Sequence, residues 1–85
     1  MTDERVKEIV SQAVGQAFEQ WAGAHPSLAA VIDRMMVTSR VVESLRDSEE
    51  YRSAIAAYRR RRAEADVLTR LTELATPLLT AILGG

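Results

Sequence analysis

The fold is decided by the stretch YRSAIAAYRRRRAEADVLTRLTELATPLLTAIL, which runs from Tyr51 to Leu83. Strong helix formers dominate this stretch, and neither Gly nor Pro precedes Pro77, so the sequence predicts one long third helix. On a helical wheel of about 100° per residue, its two halves place their apolar residues on roughly opposite sides. The first half contributes Tyr51, Ala54, Ile55, Tyr58 and Ala65, and the second contributes Val67, Leu68, Leu71, Leu74, Leu78 and Ile82.

This change of face has two interpretations. A continuous helix with apolar surface on opposite sides needs two sets of contacts, one in its own core and one on a second copy, another protein or a membrane surface. We expect this arrangement, with residues 67–85 projecting from a helical core of residues 1–66 in a single domain of residues 1–85. The alternative is a hidden break between Arg59 and Ala65, which would let both halves face one core.

The projecting segment is the predicted partner-binding surface, because an exposed leucine-rich face forms an apolar patch of the type found at interfaces. Pro77 removes one helical hydrogen bond and clashes with the preceding turn, so we expect either a kink there or a new short helix capped by Thr76. The residues predicted to contact a partner are Val67, Leu68, Leu71, Leu74, Leu78, Leu79 and Ile82.

Two amphipathic helices are predicted before this stretch. The first begins at Thr2 or Asp3 and presents one continuous apolar arc, and Gly23 and Pro26 end it. The second runs from about Pro26 to Arg46, and Asp47 and Glu50 have the spacing of a capping box for the third. The sequence therefore predicts an all-α fold of three principal helices, the first two as an antiparallel hairpin. The arc of the first helix comprises Val6, Ile9, Val10, Ala13, Val14, Ala17, Phe18 and Trp21. The second helix has a main face of Leu28, Val31, Ile32, Met35, Val42 and Leu45, and a narrower strip of Ala30, Val37 and Val41.

Composition limits the chemistry that the chain can perform. Its 85 residues include no Cys and a single His, His25, so we expect no disulfide, metal site or other cofactor. Neither a nucleophile beside a base nor a Gly-rich phosphate loop is recognisable, and we expect no enzymatic activity. A chain this short buries only about 60% of its unfolded surface. Oligomerisation is therefore an expected source of stability.

Charge is distributed unevenly along the sequence. Residues 1–50 contain five basic and nine acidic residues, which gives about −4, and residues 51–85 contain six basic and three acidic residues, which gives about +3. This asymmetry favours self-association in a staggered or antiparallel manner.

The run Arg59, Arg60, Arg61 and Arg62 is a candidate phosphate or nucleic-acid contact, because guanidinium groups bind phosphate bidentately. On a continuous helix, however, the four side chains point all round the axis, and no aromatic residues interleave with them to stack bases. Glu64 and Asp66 follow Arg60 and Arg62 by four residues, a spacing that favours ion pairs. A solvated collar or a salt-bridge site between subunits is the preferred interpretation.

These features predict a non-catalytic structural or adaptor protein that self-associates, or joins a larger protein assembly, through its C-terminal helix. A small membrane-active, holin-like or peripheral protein is the first alternative, although a mostly Thr polar face is atypical of such helices. A nucleic-acid-binding accessory protein using the Arg run is the second. Ten of the eleven basic residues are Arg, a usage typical of GC-rich bacterial or phage genomes. We expect a location in the cytoplasm or within a phage particle, since no targeting signal is visible.

Overall fold

A computed structural model describes residues 3–83, and every regular element in that range is an α-helix. The predicted all-α fold is therefore confirmed. The described range contains five helices instead of three principal ones, because breaks occur in the predicted second and third helices. The elements are α1 (Asp3–Ala24), α2 (Pro26–Ala29), α3 (Arg34–Arg46), α4 (Glu49–Arg61) and α5 (Glu64–Leu83).

Helix α1 forms as the sequence predicts. Its seven buried residues belong to the predicted apolar arc, and Trp21 at the end of that arc is half-buried. Asp3 and Glu4 in the first turn stabilise the positive end of the helix dipole. Thr2, the other predicted start, lies outside the described residues.

Helices α1 and α5 run parallel along the long axis of the molecule, which measures 41 Å against 20 and 19 Å across. Two contacts fix this direction: Arg5 binds Glu64 at the start of α5, and the Thr72 hydroxyl approaches Gln16 further along both helices. Helix α5 also packs against α3 and α4. The C-terminal helix therefore lies in the centre of the bundle. The expectation that residues 67–83 project from the helical core is wrong. Residues 84–85 lie outside the described range.

Helix α3 runs antiparallel to α1, since Arg34 at its first position binds Glu19 near the end of α1 and Arg46 at its last position lines the same pocket as Lys7 near the start of α1. The chain then turns at Ser48, whose hydroxyl accepts a hydrogen bond from the Tyr51 amide. Ser48 is thus the cap of α4, and the predicted capping role of Asp47 is wrong. Helix α4 returns past the start of α1, where Arg59 lies 3.7 Å from Asp3. These turns let α5 begin beside the first turn of α1.

The predicted continuous third helix is interrupted at Arg62. This residue has φ 53° and ψ 33°, the left-handed conformation that ends a helix, and its amide donates to the Tyr58 carbonyl. The next helix starts at Glu64. The alternative of a hidden break is therefore the correct one, because reversing the chain direction lets the two opposite apolar faces meet one core. The faces meet through Ile55 and Tyr58 before the break and Val67, Leu71, Ala75 and Leu79 after it.

Pro77 lies inside α5, which continues from Glu64 to Leu83 without a break. The predicted kink is thus not confirmed, and no new helix starts at Thr76. Hydroxyls along α5 bind carbonyls four residues earlier, among them Thr76 to Thr72 and Thr80 to Thr76. The hydroxyl donors of Thr69, Thr72, Thr76 and Thr80 are therefore satisfied within the helix itself.

The predicted second helix is also divided. Pro26–Ala29 forms one short turn, and α3 begins only after Asp33, whose carboxylate accepts a hydrogen bond from the Met36 amide at 3.2 Å. The division rotates α3, so that its buried residues are Val37, Val41 and Leu45. Two of these belong to the strip that the sequence assigned to the minor face, and most of the predicted major face is not buried.

We expect Arg62→Gly to stabilise the protein by about 0.5 kcal/mol. A left-handed conformation costs a residue with a Cβ roughly 1–2 kcal/mol, and Gly removes this strain. The greater conformational freedom of Gly in the unfolded chain costs about 0.5–1 kcal/mol in return. Urea unfolding followed by circular dichroism measures the change. The matched control is Ala56→Gly, an exposed position inside α4, which should lose about 1 kcal/mol. Equal losses in both variants would contradict a left-handed Arg62.

Candidate functional site

Two segments of the chain that meet at one end of the bundle carry no formal charge. Residues 20–32 and 74–83 contain no Asp, Glu, Lys or Arg, although charged residues are frequent in the rest of the chain. Because α1 and α5 are parallel, the first segment and the last turns of α5 lie at the same end of the long axis. The fold thus brings two distant charge-free segments together. The Arg run lies towards the opposite end, near Asp3.

This end also exposes large apolar side chains. Leu28, Val31, Met35 and Met36 are 55%, 80%, 79% and 57% exposed, and we refer to these four residues as the apolar tip. An exposed Leu or Met by itself is ordinary on a protein surface. Four of them within nine residues, beside segments without charge, form the kind of patch that marks a binding surface.

Local hydrogen bonds position the apolar tip. The Asp33 carboxylate caps α3 and so holds Met35 and Met36 in its first turn. The Arg34 guanidinium turns back onto α1, where it binds Glu19 and lies 5.1 Å from the centroid of the Phe18 ring. Both charged residues next to the tip are therefore engaged within the chain.

The last turns of α5 add partly covered apolar residues to the same end. Leu78, Ile82 and Leu83 pack against the core and remain half-exposed. Trp21 and Ile32 are likewise half-buried, and the Trp21 ring lies 5.1 Å from that of His25. The tip is thus bordered by aromatic and aliphatic side chains, and His25 lies at the turn between α1 and α2.

The seven residues predicted to bind a partner divide into two groups. Val67, Leu71 and Leu79 are at most 4% exposed and belong to the chain's own core. The reason is the break at Arg62, which turns this face of α5 inwards. The others remain half-exposed at the edge of the core, and these are Leu68, Leu74, Leu78 and Ile82.

The Arg run does not form a continuous binding surface. Arg59 approaches Asp3, Arg61 faces the start of α5, and Arg62 occupies the turn between the two helices. The expected pairing of this run with Glu64 and Asp66 does not occur among the described residues, because the turn separates the two groups. Arg60 lies beside the groove between α1 and α4.

Glu64 is instead bound by α1. The Arg5 guanidinium donates to both Glu64 carboxylate oxygens, at 2.7 and 2.6 Å, and the Tyr58 hydroxyl donates to Glu64 Oε1 at 3.2 Å. These hydrogen bonds, with Arg5 contributing most, hold the pKa of Glu64 below its ordinary value. Burial, followed by the nearby Glu64 carboxylate, raises the pKa of Tyr58. The cluster joins α1 to both sides of the Arg62 turn.

Glu64→Gln should therefore remove a part of the stability that depends on pH. A carboxyl group whose pKa is lowered by folding stabilises the protein fully above its unfolded pKa, near 4.5, and this contribution is lost as the pH falls through the folded pKa. Thermal melts should show the wild type more stable than Glu64→Gln at pH 7, with the difference shrinking below about pH 5. Glu73→Gln is the matched control, since Glu73 lies 3.8 Å from Arg70 on its own helix. A difference between wild type and Glu64→Gln that stays constant down to pH 3 would contradict this role.

Comparison with known protein families, with curated proteins and with solved structures finds no match for this chain. Within residues 3–83, no helix is long and apolar enough to cross a membrane. The same range contains no group of three or more His, Cys, Asp or Glu residues placed to hold a metal ion.

The sequence analysis missed the apolar tip because it placed Leu28, Val31 and Met35 on the main apolar face of one helix together with Leu45, which is buried. A signal was present in the sequence: Asp33, a favoured N-cap residue, stands three residues before Met36. A helix beginning there places Val37, Val41 and Leu45 at intervals of four and leaves Leu28 and Val31 outside it.

Proposed function

We propose that this chain is a non-catalytic helical assembly module that self-associates through its apolar tip. The observation that supports the proposal is the exposure of Leu28, Val31, Met35 and Met36 at an end of the bundle formed by two charge-free segments. The proposed interface is therefore the apolar tip, with Leu78 and Ile82 at its edge, in place of the predicted face of α5.

The hydrophobic effect supplies the driving force. A fully buried Val, Leu or Met side chain contributes on the order of 1.5–3 kcal/mol relative to an exposed one. The four tip residues are more than half exposed in the single chain, so most of this energy is available for association. The two Met side chains are flexible and can adjust to an opposing apolar surface.

A second copy of the chain is the partner that this surface fits. In a two-fold dimer each tip meets the same surface of its partner. Tip-to-tip contact brings together the segments 20–32 and 74–83, which carry no formal charge, and the charged residues within the tip, Asp33 and Arg34, are engaged by their own chain. An anionic membrane is less well matched, since interfacial helices normally display Lys and Arg beside their apolar face.

The test is the mass of the purified protein by size-exclusion chromatography with light scattering at increasing concentration. We expect the wild type to approach twice its chain mass of 9.4 kDa, and Val31→Glu with Met35→Glu to remain at the mass of one chain because burying two carboxylates is unfavourable. The matched control is Gln12→Glu with Ser53→Glu, which adds the same charge at exposed positions away from the tip.

The control should associate like the wild type, and circular dichroism should show equal helix content in all three proteins. A wild type that remains a monomer at several hundred micromolar would overturn self-association. If that monomer binds neutral or anionic liposomes through the same tip residues, the membrane alternative takes its place.

A further inference from the structure

The end opposite the apolar tip contains a groove of about 790 Å³ between α1 and α4. Five of the eleven basic residues in the chain line it, although the chain as a whole has a net charge of −1. One of them belongs to α1, one to α3 and three to α4. These residues are Lys7, Arg46, Arg52, Arg59 and Arg60.

Three of these cations are available to bind an anion. Lys7, Arg46 and Arg60 are exposed and form no ion pair with any residue between 3 and 83. Arg52 and Arg59 make only exposed contacts, at 3.4 Å to Glu49 and 3.7 Å to Asp3. Exposed pairs of this kind contribute about 0–1 kcal/mol, so an incoming carboxylate can compete with them.

The floor of the groove is apolar. Val6 and Ile55 are buried beneath it, and Tyr51 is half-buried at its side. A ligand that alternates negative charges with apolar groups therefore matches both the rim and the floor. A phosphodiester backbone has no apolar group to place there, and a single half-buried Tyr offers little surface for stacking bases.

Carboxylates limit the length of anion that the groove accepts. Asp3 lies beside Arg59, and Glu43, Asp47 and Glu49 lie beside Arg46 and Arg52. A long polyanion leaving the groove would be repelled by these groups. The cationic face of α4 extends from Arg52 to Arg60, about 12 Å at 1.5 Å per residue, which matches about four residues of extended peptide.

We propose that this groove binds a short acidic peptide segment of a partner protein, one in which Asp or Glu residues flank an apolar side chain. Arg52 and Arg60 bind its carboxylates, and the apolar side chain rests on Ile55. The proposal is independent of self-association, since the groove and the apolar tip lie at opposite ends of the bundle.

The test uses a fluorescein-labelled peptide of alternating glutamate and leucine, titrated with the full-length protein in low salt and followed by fluorescence anisotropy. We expect saturable binding that weakens as salt rises. A peptide with glutamine in place of every glutamate should bind at least about tenfold more weakly, since the loss of two exposed pairs at up to about 1 kcal/mol each amounts to this factor. Arg52→Glu with Arg60→Glu should weaken binding of the glutamate peptide by a similar factor.

The matched control is Arg40→Glu with Arg70→Glu, which makes the same charge change outside the groove and should bind within about twofold of the wild type. Thermal melts verify that both variants are folded. The proposal is overturned by no binding to the wild type, or by equal loss in the two variants. Tighter binding of an oligothymidine than of the peptide, with the same dependence on Arg52 and Arg60, would replace it with a nucleic-acid site.

Discussion

Replacing Leu71 with alanine is expected to lower the free energy of unfolding by about 3–5 kcal/mol. Leu71 has no exposed surface and lies in the middle of α5, the helix that packs against α1, α3 and α4, so truncation leaves a cavity that the surrounding helices fill only in part. For a domain whose total stability is on the order of 5–15 kcal/mol, this loss is large. Urea unfolding followed by circular dichroism measures it.

Leu28→Ala is the matched control, because it removes the same atoms from a side chain that is 55% exposed. We expect it to cost less than about 1 kcal/mol at a concentration where the protein is monomeric. The contrast between the two leucines separates a core position from a surface position. If both variants lose less than about 1 kcal/mol, Leu71 is not part of the core.

A chain that ends at Asp66 is expected to be unfolded. This truncation removes the residues through which α5 packs on α1, α3 and α4, and exposes the apolar arc of α1 to water. A set of isolated helices of 22 residues or fewer is marginal without tertiary packing. Circular dichroism should show most of the helical signal lost, with no cooperative thermal transition.

The control for the truncation is a chain that ends at Leu83, which keeps all five described helices and should melt like the full chain. The experiment also separates the two interpretations of the long third helix. A folded, monomeric chain of residues 1–66 would support the other interpretation, in which residues 67–85 project from a core of residues 1–66.

The sequence predicted the helices better than the connections between them. The arc of α1 was correctly predicted because its apolar residues recur every three or four positions on one side. The break at Arg62 could not be located, because Arg is a strong helix former and its left-handed conformation is imposed by packing on both sides of the turn. The change of apolar face in residues 51–83 was the visible sign of that break.

The candidate site was harder to predict for a related reason. The helical wheel placed Leu28, Val31 and Met35 on one main apolar face with Leu45, on the assumption that one helix spans residues 26–46. That assumption is wrong, because Asp33 caps a new helix that begins at Arg34. The charge-free end was equally hidden, since residues 20–32 and 74–83 are neighbours only through the parallel packing of α1 and α5.

The most direct test of tip-to-tip assembly is energy transfer between two differently labelled populations of the protein. The chain has no cysteine, so Gln20→Cys places a single label beside the tip and Ser53→Cys places one on α4. In a tip-to-tip dimer of 41 Å subunits, the tip labels approach each other and the α4 labels lie up to about 80 Å apart. We expect strong transfer between tip labels and almost none between α4 labels. Stronger transfer between the α4 labels would contradict it.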